Sequence, residues 1–155
     1  MKKILYNLFL LFAVFSLSSC LDSNLDDLPE YEEADITSVS AVRYRYITDE
    51  KSPASGENIV EEVDLGYTAD INADRREVKI KVTKPGSFPA DQVNNLSKSN
   101  LVVVVSLSTA ARIAPLDGSP KLGVPADWSS AHRYVVTAAT GTQKEWTIEV
   151  VSLTK

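Results

Sequence analysis

The 155-residue chain has one cysteine, one histidine, one methionine and six glycines. A single cysteine cannot close an internal disulfide, so no covalent staple holds the fold. One Cys and one His cannot assemble a zinc ligand set, and no metal or cofactor is expected. Basic residues are also scarce: 16 Lys and Arg face 21 Asp and Glu, a formal net charge of −5. Phosphate recognition needs a surplus of basic residues gathered in a cluster, and the absence of one excludes nucleic acid as the main partner. There is no Gly-rich phosphate loop and no Gly-x-Ser-x-Gly elbow. His132 is the only imidazole and stands at the start of an expected strand beside Arg133. A solvated side chain is the ordinary occupant of such a place, and a nucleophile–base pair needs a partner the sequence does not indicate. Asp117 and Asp127 lie in turn-forming segments, where acids cap turns more often than they hydrolyse glycosides. Asp70, Asn72 and Asp74 share the spacing of a calcium loop, but Arg75 replaces the required Gly and Lys81 the closing Glu. A polar turn between two strands accounts for them. No enzyme is expected.

What is present begins with Lys2 and Lys3, an apolar run from Ile4 to Phe15 broken by Asn7, and small residues at Leu17-Ser18-Ser19-Cys20. The run is too short for a membrane-spanning helix, which takes about 20 residues. Its length and its basic start are those of a secretory signal. Leu17-Ser18-Ser19-Cys20 resembles the lipobox of bacterial lipoproteins, which implies cleavage before Cys20, a diacylglycerol on its thiol and an acyl chain on its amine. Two or more chains anchor a protein stably, where one does not. Residues 1–19 are therefore expected to be a signal peptide. Residues 20–35, with seven acids and no base, are expected to be an extended tether. Acids directly after the lipidated cysteine resemble the signal that sends Bacteroidota lipoproteins to the exterior of the outer membrane.

Residues 36–155 carry the signals of one all-β domain. Turn formers recur at Pro53-Ala54-Ser55-Gly56, Asn72-Ala73-Asp74, Pro85-Gly86, Asn94-Asn95, Asp117-Gly118-Ser119-Pro120 and Thr140-Gly141-Thr142. Between them lie β-branched and aromatic runs. Ile36 to Ile47 is the first, and Ile59 to Ile71 a looser second. Val78, Ile80 and Val82 alternate with Lys79, Lys81 and Thr83. Leu101-Val102-Val103-Val104-Val105 is apolar on both faces, as a strand covered on both sides would be. His132 to Ala139 and Lys144 to Val151 flank a short Gly-containing loop, the mark of a hairpin. Trp146, Ile148 and Val150 share one face of its second strand. Ala90 to Ser99 is the sole helical candidate, and Asn94-Asn95 makes it a poor one. About seven strands, antiparallel by the hairpin evidence, fit a two-sheet sandwich.

Three stretches carry a family resemblance: Ile36-Thr37-Ser38-Val39, Ile71-Asn72-Ala73-Asp74 leading to Val78-Lys79-Ile80-Lys81-Val82, and Asp127-Trp128-Ser129 followed by Tyr134-Val135-Val136-Thr137-Ala138, Gly141 and Trp146-Thr147-Ile148-Glu149-Val150. With these the domain resembles the immunoglobulin-like or cadherin-like β-sandwiches of Bacteroidota surface lipoproteins, among them the 5018-type domain of unknown function. The resemblance implies a cell-surface location and frequent association with glycan uptake. The connection from Pro85 to Asn100 is longer than that pattern calls for, and the loop after Leu116 richer in proline.

Sugars stack their C–H faces on exposed aromatic rings, so the candidate glycan-stacking residues are Trp128, Tyr44, Tyr46 and Tyr67. Trp128 precedes a strand in a loop, where it can either stack a sugar or plug one end of the core. Tyr44 and Tyr46 alternate with Arg43 and Arg45, giving a ribbed strand that suits a polysaccharide, a protein or plain solvent. Without Lys2 and Lys3 of the expected signal peptide the acids outnumber the bases by seven; all seven surplus acids lie between Asp22 and Asp35, and residues 36–155 carry 14 acids and 14 bases. A ligand of this domain must therefore be chosen by shape, stacking and hydrogen bonds. The expected function is non-enzymatic: a surface lipoprotein that captures glycan or, alternatively, a structural or adhesive lipoprotein that binds an outer-membrane protein. Replacing the thiol in Cys20→Ser should abolish fatty-acid labelling in cells, and persistent labelling would contradict the anchor.

Overall fold

Ile36–Lys51 forms one long strand, β1, that serves both halves of the same sheet. The computed structural model describes residues 30–155. The expected signal peptide, Cys20 and the first part of the expected tether lie outside the described residues. The first half of β1 pairs antiparallel with β5 (Val102–Leu107), and its second half with β2 (Asn58–Asp64). This gives a three-stranded sheet in the order β2-β1-β5. Register shifts between Ile36 and Ser38 and between Val39 and Ala41 break strict alternation. The buried positions accordingly fall at Ile36, Val39, Val42 and Tyr44, because each bulge adds a residue that the partner strand does not match.

The run Ile59 to Ile71, expected as one strand, is two. β2 ends at Asp64 and β3 (Gly66–Asn72) belongs to the other sheet. Leu65 is buried at the crossing, and its N–H bonds the Val42 carbonyl at 2.8 Å. Gly66 follows because a Cβ there would lie 3.3 Å from the Thr83 carbonyl oxygen. β3 pairs with β4 (Glu77–Thr83) through the expected polar turn, in which the Asn72 side chain accepts the Arg75 N–H at 2.9 Å. Adding β6 (Arg112–Pro115), β7 (His132–Thr137) and β8 (Gln143–Thr154) completes a five-stranded sheet, β3-β4-β8-β7-β6.

The result is the expected all-β, sandwich-like arrangement of two sheets, with eight strands in place of about seven. Pairing is antiparallel except between β4 and β8, which run parallel. The β7–β8 hairpin forms as its sequence requires. Ala138 N–H bonds Thr142 O at 2.8 Å, and Gly141 takes φ +88°, a conformation that favours glycine. The Ala90 to Ser99 candidate is not an α-helix; the segment holds two short 3₁₀ turns, Ala90–Gln92 and Lys98–Asn100. Val102 and Val103 are buried as expected, whereas Val104 and Val105 are only half-buried. β5 is an edge strand that loop residues shield only at its start, where Gly123 N–H bonds the Val103 carbonyl.

Val78, Ile80, Val82, Tyr134, Val136, Trp146, Ile148 and Val150 fill the space between the sheets with Val42, Tyr44 and Val103. No charged or polar residue is buried among the described residues. Residues 33–35, expected as the end of the tether, belong to the packed domain. Ala34 is fully buried and its carbonyl accepts the Trp146 indole N–H at 3.1 Å. Ser108 Oγ donates to Glu33 O at 2.6 Å, and Lys144 Nζ meets Asp35 Oδ1 at 2.7 Å. Composition had favoured a free chain here; one small apolar residue and three specific partners decide otherwise.

Trp128 is fully buried, corrected here from candidate stacking residue to core side chain. Its ring stacks on Tyr134 at 6.5 Å between centroids, and His132 meets it edge-on at 5.1 Å. Its indole N–H bonds Leu101 O at 3.1 Å, and its backbone N–H bonds Lys98 O at 2.8 Å. Trp128→Ala should therefore lower unfolding free energy by about 3–5 kcal/mol. Denaturant unfolding followed by far-ultraviolet circular dichroism checks this, and an unchanged midpoint would contradict it.

Candidate functional site

The groove end of the molecule is built from β1 outward. On its inner face Tyr44 is buried while Tyr46, two residues on, is half-buried. The two rings stack with centroids 5.8 Å apart and planes 17° from parallel, and Phe88 closes on the far side of Tyr44 at 5.5 Å. Phe88 and Leu96 are buried, which fastens the segment between β4 and β5 over this end of the sandwich. The open depression left between that segment and β1 has a volume of about 590 Å³. Tyr44 and Tyr46 contribute to its lining together with Ile47, Val60 and Pro125 and with the amides Gln92, Asn95 and Asn100. A second depression beside Ile113, Leu122 and Tyr134 has about half that volume, about 290 Å³.

The amides are oriented. Gln92 Nε2 donates to Asp91 Oδ2 at 2.8 Å, which turns Gln92 Oε1 toward Asn95 Nδ2 at 3.2 Å and the Tyr44 hydroxyl at 3.4 Å. Asn100 Nδ2 reaches Arg45 O at 3.5 Å. The Tyr46 hydroxyl donates to the Glu61 carboxylate, its cross-strand neighbour. That bond, with some burial and the charge of Glu61, pushes the Tyr46 phenol up to about 12. Burial first, and then the charge of Asp91, raises the Tyr44 phenol as well. Ile47 and Val60 sit opposite one another across β1 and β2 and are 69% and 54% exposed.

The stacking candidates thus separate. Tyr44 and Tyr46 come together, but only Tyr46 offers ring surface; Tyr44, 2% exposed, supports it from below and is corrected from stacking to supporting residue. Tyr67 lies on β3, away from the groove lining, and its hydroxyl donates to Val39 O at 2.9 Å, tying the two sheets together. Arg43 and Arg45 face acids on β2: Arg43 Nε meets Asp64 Oδ1 at 2.8 Å, and Arg45 pairs with Glu62. Gln92, Asn95, Asn100 and Pro125 were not singled out from sequence. The length of the Pro85 to Asn100 connection was the available signal, since long structured loops in compact domains are commonly functional.

The residues weighed for catalysis each have local partners. The His132 ring contacts the backbone oxygen of Asp127 at 2.6 Å. Hydrogen bonds from Ser129, its hydroxyl first and then its backbone N–H, lower the Asp127 carboxyl below the usual carboxylate range. Asp117 is paired with Arg133. Among the described residues no group of three or more His, Cys, Asp or Glu is placed to hold a metal ion, and no helix is long and apolar enough to cross a membrane.

The model of the DUF5018-related family matches residues 36–149. The chain belongs to this family. A crystal structure from Bacteroides fragilis, of a protein described as a "putative secreted protein", is similar to this DUF5018-related chain at 47% sequence identity. The TM-score is 0.71, over 82% of this chain and 100% of that one. No curated protein matches. The family match covers β1 through most of β8, so both the Tyr46 groove and the Trp128 loop fall inside the matched region.

Proposed function

We propose that this DUF5018-related protein is a non-catalytic binding module, held by lipid on Cys20 at the outer face of the outer membrane, that captures glycan in the groove at Tyr46. One observation carries the reading: a half-buried tyrosine ring, backed by a second ring, adjoins three side-chain amides in an open depression. An aromatic face takes the C–H surface of a sugar, and amides both donate to and accept from its hydroxyls. An open groove admits the interior of a polymer as well as its end.

The placement of the groove supports the same reading. The chain enters the domain through residues 33–35, which are pinned beside Ile36 at the start of β1. Tyr46 lies ten residues further along that strand, up to about 30 Å away at about 3.3 Å per residue. A tether attached at residue 33 leaves the groove on the side away from the anchor. The lipid on Cys20 and the surface location rest on the signal-like N-terminus, and the secreted description of the Bacteroides fragilis relative fits a place outside the cytoplasm.

A second reading, an adhesive lipoprotein that binds an outer-membrane protein, draws on the exposed Ile47–Val60 pair at the rim of the groove. Affinity electrophoresis through gels containing single polysaccharides separates the two. The wild-type domain should be retarded by at least one polymer, and Tyr46→Ala, checked for folding by circular dichroism, should weaken that binding roughly tenfold or more, about 1.4 kcal/mol. Equal retardation of the variant would overturn the groove assignment. Retardation by no polymer, with an outer-membrane protein retained through Ile47 and Val60, would favour the second reading.

A further inference from the structure

The charges around the groove are arranged unequally. Of the residues that line it, Arg45 is the one cation, and its guanidinium is committed to Glu62 on the facing strand. Glu62 is approached by Arg43 as well, at 3.6 Å, so the two arginines and the acids Glu62 and Asp64 form a closed, neutral ladder on the outer face of β1 and β2. The remaining lining side chains are uncharged: two tyrosines, Ile47, Val60, Pro125 and three amides.

Two exposed carboxylates are hydrogen-bonded to side chains of that lining. Glu61 accepts the Tyr46 hydroxyl, and Asp91 accepts the Gln92 amide. The charge of Asp91 helps raise both the Tyr44 and the Tyr46 phenol, and that of Glu61 the Tyr46 phenol. A ligand carboxylate or sulfate on the Tyr46 ring would meet two like charges. It would find no uncommitted cation among the lining residues to offset them. A neutral sugar meets neither obstacle, and its hydroxyls match the oriented amides.

We infer that the groove selects uncharged oligosaccharides and rejects acidic ones, uronates and sulfated sugars alike. The inference rests on the glycan reading given above. It follows from where the charges lie: Arg45 neutralised by Glu62, and Glu61 and Asp91 bonded to the Tyr46 hydroxyl and the Gln92 amide.

The wild-type domain is tested by affinity electrophoresis against neutral polymers (mannan, xylan, a β-glucan) and acidic ones (polygalacturonate, alginate, chondroitin sulfate). At low salt the best neutral polymer should be bound at least tenfold more tightly than any acidic one. Added salt should narrow the gap, because screening weakens repulsion between exposed charges. The double substitution Glu61→Gln with Asp91→Asn should narrow it too, read as the ratio of acidic to neutral affinity. An acidic polymer bound as tightly as the best neutral one would overturn the inference and leave the glycan reading standing. So would a preference that neither salt nor the double substitution alters. Binding to none of the polymers would overturn the glycan reading and this inference with it.

Discussion

Trp128 holds two loops together through two hydrogen bonds and one large buried ring. Its backbone N–H reaches Lys98 O, its indole N–H reaches Leu101 O, and Ala126 and Leu101 exchange both of their backbone bonds. Asn100 belongs to one of these loops and Pro125 to the other, and both line the groove. A chain with one cysteine has no disulfide with which to fix such segments. The loops are fixed instead by burying an indole whose polar N–H is paired with a carbonyl, so that the ring can be covered without leaving a donor unsatisfied. Trp146 acts in the same way where the chain enters, with Ala34 O as its acceptor. Residues outside the strands are thereby ordered at both ends of β1.

This arrangement separates the end of the domain at which the chain enters from the end that carries the proposed groove. Ala34 and Asp35 are fastened by Trp146 and Lys144, so movement of the preceding chain is not passed along β1 as fraying of its first residues. At the far end, Phe88 and Leu96 pin the long connection over the Tyr44 ring. Tyr46 is presented on a strand paired on one side to β2 and supported from below by Tyr44. A ring held in this way loses little conformational freedom when a ligand stacks on it, which favours binding without added contacts.

Much of the fold was legible because its signals are local. Val78, Ile80 and Val82 alternate with lysines, Trp146, Ile148 and Val150 alternate with polar residues, and both sets are buried as a two-residue period dictates. Gly141 marked its turn. The change of sheet at Leu65–Gly66 was hidden because β2 and β3 are separated by a single residue and share a composition. The parallel pairing of β4 with β8 joins strands about 60 residues apart and leaves no local trace. The candidate site was legible only in part. Tyr44 and Tyr46 stood out as aromatics on a strand, but whether a ring is covered depends on Phe88, which is far away in sequence. Trp128 pointed to the right region for a different reason: its bulk supports the groove walls instead of facing a ligand. The three amides carry no pattern of their own and acquire meaning only through partners distant in the fold or hidden in the loop: Asp91 and Tyr44 for Gln92, Gln92 for Asn95 and the Arg45 carbonyl for Asn100.

The most direct test of the groove as the binding surface is to follow the backbone amide resonances of the isotopically labelled domain while a bound neutral oligosaccharide is added. Shifts concentrated at Tyr46, Ile47, Gln92, Asn95 and Asn100, with the outer face of β4 and β8 unmoved, are what the structure predicts. Shifts centred on that outer face, around Lys79, Lys81 and Val151, with Tyr46 and the amides unmoved, would contradict it.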